Sequence, residues 1–242
     1  MDKIRIVHNL PRSGGTIISK TISSQKNIVL LSEIHPEGSK VRKMMRVDDE
    51  LGDPLYQFQT WYKLFSEKEY YEIKNSNLNF IEKIKIIYKK TKEQNKILII
   101  RDWSFIDYFG VPFVTPKYKN TILEKFQKEF EIKNIFLIRD PLETFLSCMK
   151  LPFFSSNYTF DIFLNGYDLF INNIKENNII KFEKFVLDPN KNIKKISSIL
   201  DFKFDENYKE RFKETNITGD IGASKANMIY VKKNVASKLL SE

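Results

Sequence analysis

The chain has 242 residues, 42% of them hydrophobic and 14% aromatic, with a formal net charge of +9 and one cysteine, Cys148. That content describes a globular chain and excludes a disordered one, and the length suffices for one large α/β domain spanning 1–242. The basic residues are spread along the chain without a block of five or six, which argues against a nucleic-acid tail and for a small polyanionic ligand.

Five short apolar runs mark strands: Ile4–Val7, Ile28–Leu31, Ile97–Ile100, Ile135–Ile138 and Ile179–Phe182. None alternates clearly, as expected of strands buried on both faces. Helical patterns separate them, so the expected architecture is α/β: three layers around a central, mostly parallel sheet of about five strands.

After the first run comes His8-Asn9-Leu10-Pro11-Arg12-Ser13-Gly14-Gly15-Thr16, and then a helix with Ile18 and Ile22 on one face. Paired glycines let the backbone turn tightly and approach an anion, and the helix N-terminus aims free N–H groups at it. Ser13 and Thr16 add hydroxyls, and Arg12 can hold phosphate or sulfate oxygens in a bidentate bond. A nucleotidase or kinase P-loop needs Gly, four residues, then Gly-Lys-Ser/Thr, and here no lysine stands between Gly15 and Thr16.

Farther along, residues 55–92 carry helical spacing at Trp61, Leu64 and Phe65 and again at Ile81, Ile84 and Tyr88. Thr121 to Glu131 reads as an amphipathic helix, Pro141 opens another at its first turn, and Lys191 to Leu200 forms a late one. The fourth strand runs into Arg139-Asp140-Pro141, with Ser147 eight residues after Arg139. Both motifs fall at carboxyl ends of strands, where open α/β sheets bind ligands.

Pro-Arg-Ser-Gly-Gly-Thr resembles the 5′-phosphosulfate loop of sulfotransferases that use 3′-phosphoadenosine-5′-phosphosulfate (PAPS), in the arginine form found in tyrosylprotein and many bacterial enzymes. Arg139 and Ser147 stand at the spacing with which that family binds the 3′-phosphate. Lys181 to Val186 with Asp188-Pro189, the stretch to Phe202, and Thr218-Gly219-Asp220-Ile221-Gly222 resemble its later segments, the last being the loop that closes over the nucleotide. Residues 40–95 stay outside the resemblance. It implies a P-loop-like sulfotransferase fold, with the donor held by Arg12, Ser13, Gly14, Gly15, Thr16, Arg139 and Ser147 and released as 3′,5′-adenosine bisphosphate (PAP).

The transfer needs a base for an acceptor hydroxyl, and Glu33 follows the second strand, 21 residues after Arg12, an offset similar to that of the catalytic glutamate in tyrosylprotein sulfotransferases. His35 is the rival, with an imidazole suited to the task, though it can instead order the loop beside Pro36, and His8 reads as a core residue. Arg101 stands where the tyrosylprotein enzymes carry a lysine that supports the leaving group. It is a candidate catalytic residue with Glu33 and Arg12, and a structural ion pair is the other reading of it. Asp102 and Trp103 are expected to face the acceptor, and Ser224 or Lys225 to reach the donor. Residues 40–75, 102–118 and 151–167 are expected to form the acceptor pocket, and Tyr56, Trp61, Tyr62, Trp103, Tyr108, Phe113, Phe153, Phe154 and Tyr158 offer rings for it, but for most of them core packing is the simpler role. The acceptor class stays open among small-molecule, carbohydrate and peptide hydroxyls, and so does the oligomeric state. No His/Cys/carboxylate cluster has metal-ligand spacing. The single cysteine, the absence of an apolar leader at Met1–Ile4 and the lack of any long apolar run imply a cytoplasmic protein without membrane or nucleic-acid partners. The alternatives are a P-loop-like small-molecule kinase and a non-catalytic nucleotide-binding protein.

Overall fold

The computed structural model describes residues 1–174 and 178–219. The strands are β1 (Lys3–Asn9), β2 (Ile28–Ile34), β3 (Ile97–Asp102), β4 (Glu131–Ile138) and β5 (Ile179–Lys181). The helices up to the fourth strand are α1 (Gly15–Ser23), α2 (Gly38–Met44), α3 (Pro54–Tyr62), α4 (Glu67–Lys74), α5 (Phe80–Glu93), α6 (Ser104–Phe109) and α7 (Thr121–Phe126). Beyond it lie α8 (Pro141–Cys148), α9 (Pro152–Ser155), α10 (Phe160–Asn172), α11 (Phe182–Leu187), α12 (Pro189–Ile199) and α13 (Tyr208–Arg211). The sheet order is β2-β3-β1-β4-β5, and every pairing is parallel.

Both faces of the sheet are covered, so its strands show no polar alternation. Ile4 and Ile6 of β1, Val29 and Leu31 of β2, and Leu98 and Ile100 of β3 pack with Leu55 and Phe58 of α3, Ile84 and Ile87 of α5, and Ile122 and Phe126 of α7. On the opposite face Val7, Leu30, Ile99, Ile135 and Leu137 meet Ile18 and Ile22 of α1, Phe185 of α11, and Ile193 and Ile196 of α12. A third, aromatic cluster gathers Phe105 and Phe109 of α6 with Phe154, Phe163 and Phe170.

The helix expected from Thr121 to Glu131 stops at Phe126. Glu129 and Phe130 both donate to the Phe126 carbonyl in a tight turn, and Glu131 N–H bonds Asp2 instead. Glu131 pairs with Lys3 at the start of β4, so strand pairing with β1 overrides helical periodicity.

Strand β2 is an edge, and α3 satisfies its outer backbone. Tyr62 Oη accepts from Leu30 N and donates to Leu30 O, both at 2.8 Å. Gln57, fully buried, accepts from Ser32 N at 2.9 Å and donates to Ser32 O at 2.7 Å. The amide thus replaces a neighbouring strand. A Gln57→Leu variant keeps the volume but leaves two buried backbone groups unsatisfied, so urea denaturation is expected to show a loss of about 2–5 kcal/mol.

Candidate functional site

The carboxyl ends of β1, β2, β3 and β4 gather the sequence motifs at one edge. The loop after β1 turns through Arg12 (φ 62°) and Gly14 (φ 87°), both left-handed. Its two glycines are required for different reasons. A Cβ on Gly14 would stand 2.1 Å from the Phe182 ring, and one on Gly15 would stand 2.3 Å from the Asn9 amide. The loop is closed by Ser13 Oγ and Asn9 Nδ2, which donate to Leu10 O at 2.7 and 2.9 Å. Helix α1 starts at Gly15 with no side-chain cap, so the N–H groups at its start have no acceptor within the helix.

Glu33 owes its place to an irregularity. The β2–β3 register shifts between Leu31 and Ile34, and Glu33 takes φ 56°. This bulge turns a side chain of the edge strand toward the loop. Two cations hold the carboxylate: Arg42 Nη2 at 2.9 Å from Oε2 and Arg101 Nη2 at 3.5 Å from Oε1. Arg42, on α2, stacks its guanidinium 5.0 Å over Trp103.

Arg101 is buried and multiply bonded. Its Nε donates to Asn9 Oδ1 at 2.9 Å, and Nη1 donates to Ser32 Oγ at 3.3 Å and Thr218 O at 3.1 Å. Burial pulls its guanidinium pKa down, with Glu33 opposing. Thr218 also donates to Ser32 Oγ at 2.8 Å. The next residue, Gly219 (φ 105°), lies where these parts meet. A Cβ there would be 2.4 Å from Thr16 Oγ1, 3.2 Å from Glu33 Oε1 and 3.3 Å from Arg101 Nη1. The first turn of α1, the carboxylate and the buried cation therefore converge on one point.

The second motif lies against the loop. Arg139 Nη1 donates to Arg12 O at 3.1 Å, Nη2 pairs with Glu143 at 3.2 Å, and the guanidinium stacks 5.2 Å over Phe182. Asp140 caps α8 through Glu143 N, with Pro141 in its first turn. Arg12 Nε donates to Ser147 Oγ at 3.0 Å, joining the two motifs directly.

Other sequence candidates play different parts. Asp102 does not face an acceptor: it is 1% exposed, and its Oδ2 lies 2.9 Å from His8 Nδ1, 2.8 Å from Ser104 Oγ and 3.1 Å from Asn120 Nδ2. A buried carboxylate needs such partners, which draws it inward. His8 is a core residue, stacked on Phe136 at 4.6 Å. His35 accepts at Nδ1 from Glu37 N at 3.1 Å, so its proton resides on Nε2, facing Asp107 Oδ1 at 3.4 Å. One ring nitrogen thus holds the loop and the other faces α6. Tyr108, Phe154 and Tyr158 are core, whereas Trp103, Phe113 and Phe153 are half-buried. Ser224 and Lys225, with Asp220, Ile221 and Gly222, lie outside the described residues. Arg42, Asn9 and Ser32 have no role in the sequence reading, although Arg42 stands on the helix that follows Glu33.

Cys148, next to Ser147, is fully buried, with its thiol 3.7 Å from Pro11 O. Burial pushes the thiol up to about 12, against the pull of Arg12 and Arg139. Iodoacetamide is therefore expected to leave the native protein unmodified at neutral pH and to alkylate it once unfolded.

No protein-family model and no curated protein sequence matches the chain. Solved structures do. The sulfotransferase domain from the Synechococcus PCC 7002 olefin synthase superposes with a TM-score of 0.65 at 15% identity, covering 99% of this chain and 92% of that one. The sulfotransferase domain from the curacin biosynthetic pathway gives a TM-score of 0.65 at 16% identity, covering 93% and 83%. The chain has the fold of these sulfotransferase domains. No helix among the described residues is long and apolar enough to cross a membrane.

Proposed function

We propose that this protein is a PAPS-dependent sulfotransferase that moves a sulfuryl group to an acceptor hydroxyl. The observation that carries the reading is the convergence of Thr16, Glu33 Oε1 and Arg101 Nη1 around Gly219. A reacting group bound alongside Gly219 comes within reach of the loop after β1, a carboxylate base and a buried cation. The two halves of the donor site lie together: the loop after β1 and the first turn of α1 suit a 5′ anion, and Arg139 and Ser147, both bonded to the loop at Arg12, suit a second phosphate. Ser13, Gly14, Gly15 and Thr16 supply the loop contacts.

In the transfer, the acceptor oxygen forms a bond to sulfur while the bond from sulfur to the 5′-phosphate oxygen breaks. The acceptor proton passes to Glu33, and PAP leaves with the electron pair. The protein's task is to orient both partners and to stabilise charge on the departing oxygen. The second part falls to Arg101, a reading supported by its Nε and Nη1, which Asn9, Ser32 and Thr218 already hold so that the guanidinium needs no reorganisation. Arg42 keeps Glu33 directed, with Trp103 as its platform. The half-buried rings of Trp103, Phe113 and Phe153 suit an acceptor with an apolar or aromatic body. A kinase reading lacks the P-loop lysine.

The test is incubation with PAPS labelled in its sulfuryl group and fractionated cell extract. Label is expected to move into a hydroxyl-bearing product in step with PAP release. Label retained by the donor across all fractions, with labelled ATP transferring its phosphoryl group instead, would favour the kinase.

A further inference from the structure

The backbone of the second motif is held by side chains from outside the sheet. The β4–β5 ladder ends at the pair Ile138 and Lys181, and β4 pairs with β1 no farther than Leu137, so the peptide between Arg139 and Asp140 lies beyond the strand pairing. Two helices bond it instead. Tyr167 Oη, on α10, donates to Arg139 O at 2.7 Å, and Glu183 Oε1, on α11, accepts from Asp140 N at 2.9 Å. One peptide is thereby fixed at both its carbonyl and its N–H. That sets the direction in which the Arg139 side chain leaves the backbone. Its Nη1 then donates to Arg12 O at 3.1 Å, and its guanidinium stacks 5.2 Å over Phe182, the residue before Glu183.

Charge makes Glu183 a costly choice unless it has this task. It brings a carboxylate to the backbone of an arginine suited to a phosphate, and like charges repel. The bond to Asp140 N gives that carboxylate a reason to be there. Burial and the carboxylates of Glu183 and Asp140 push the Tyr167 phenol up to about 12, so at neutral pH it stays a donor to Arg139 O.

We propose that Tyr167 and Glu183 are positioning residues for Arg139, and that through it they set the preference for a nucleotide with a 3′-phosphate over one with a 5′ group alone. This rests on the reading of the site as a PAPS site, and it requires neither residue to touch the ligand.

The test compares PAP with AMP, which lacks the 3′-phosphate, by calorimetry on the full chain. Tyr167→Phe removes the donor to Arg139 O, and Glu183→Ala removes the acceptor for Asp140 N. Each is expected to lower PAP affinity about 2- to 10-fold, the usual worth of one hydrogen bond, with AMP affinity unchanged. Glu183→Gln keeps an acceptor and removes a negative charge, so its PAP affinity is expected to equal or exceed that of the wild type. A role in folding alone would lower both nucleotides alike. Equal losses for PAP and AMP, no loss in Tyr167→Phe and Glu183→Ala, or a Glu183→Gln as weak as Glu183→Ala overturns the proposal and leaves the sulfotransferase reading intact. A wild-type protein that binds AMP but gains nothing from the 3′-phosphate of PAP overturns both.

Discussion

Glu33→Gln is expected to lower turnover by about 10²–10⁴, with PAP affinity retained. The substitution is nearly isosteric, so the bulged backbone and the distance to Gly219 are preserved while the capacity to take a proton is removed. The amide also pairs more weakly with Arg42 and Arg101, which now bracket a neutral group. Some stability is lost for that reason, and turnover is therefore compared on folded protein at saturating donor, using the acceptor identified by label transfer. Turnover that is unchanged removes Glu33 from the chemistry and leaves it as the centre of a structural ion-pair network.

Arg101→Met tests the other half of the chemistry. The side chain is 4% exposed, its Nε and Nη1 are held by Asn9, Ser32 and Thr218, and its Nη2 lies 3.5 Å from Glu33 Oε1. Removing a preorganised donor from the leaving oxygen is expected to cost about 10²–10³ in turnover. Two routes lead to such a loss, and Arg101→Lys separates them. Lysine restores the charge but cannot reach Asn9, Ser32 and Thr218 together, because those contacts use the planar fork. Partial recovery of turnover is expected if charge at the departing oxygen matters. If Arg101→Lys restores melting temperature and no turnover, the residue organises the site without stabilising charge in it.

The architecture was legible in the sequence because each buried strand is an uninterrupted apolar run, and five such runs separated by helical spacing leave few arrangements. The loop was legible because glycines and an arginine after a strand have a local reason to be there. What the sequence hid depends on contacts between distant segments. Nothing local marks Gln57 as a stand-in for a strand, because its role exists only beside the free edge at Ser32. Asp102 looked available at the end of β3, but His8, Ser104 and Asn120 come from three elements to bury it. The end of α7 at Phe126 was set by pairing of Glu131 with Lys3, which a periodic apolar pattern does not record.

The same reasoning explains the site. Glu33 could be picked out by its place after β2, yet the bulge that aims it, and the two arginines that grip it, belong to the folded chain. Arg42 carries no local signal, since a basic residue on a short helix has the pattern of solvated surface, whereas here it is stacked on Trp103 and 7% exposed. Thr218 and Gly219 belong to the late loop that the sequence marks, and the fold sets them against Thr16, Ser32, Glu33 and Arg101, which no local pattern records.

The central claim is a nucleotide site that reads two anions, one at the loop after β1 and one at Arg139 and Ser147. Thermal unfolding followed with and without nucleotide tests it most directly. Strong stabilisation by PAP in the absence of Mg²⁺, with none from ATP, is the predicted result, since a ligand that binds only the folded state raises its melting temperature. Stabilisation by ATP with Mg²⁺ and none by PAP would contradict it.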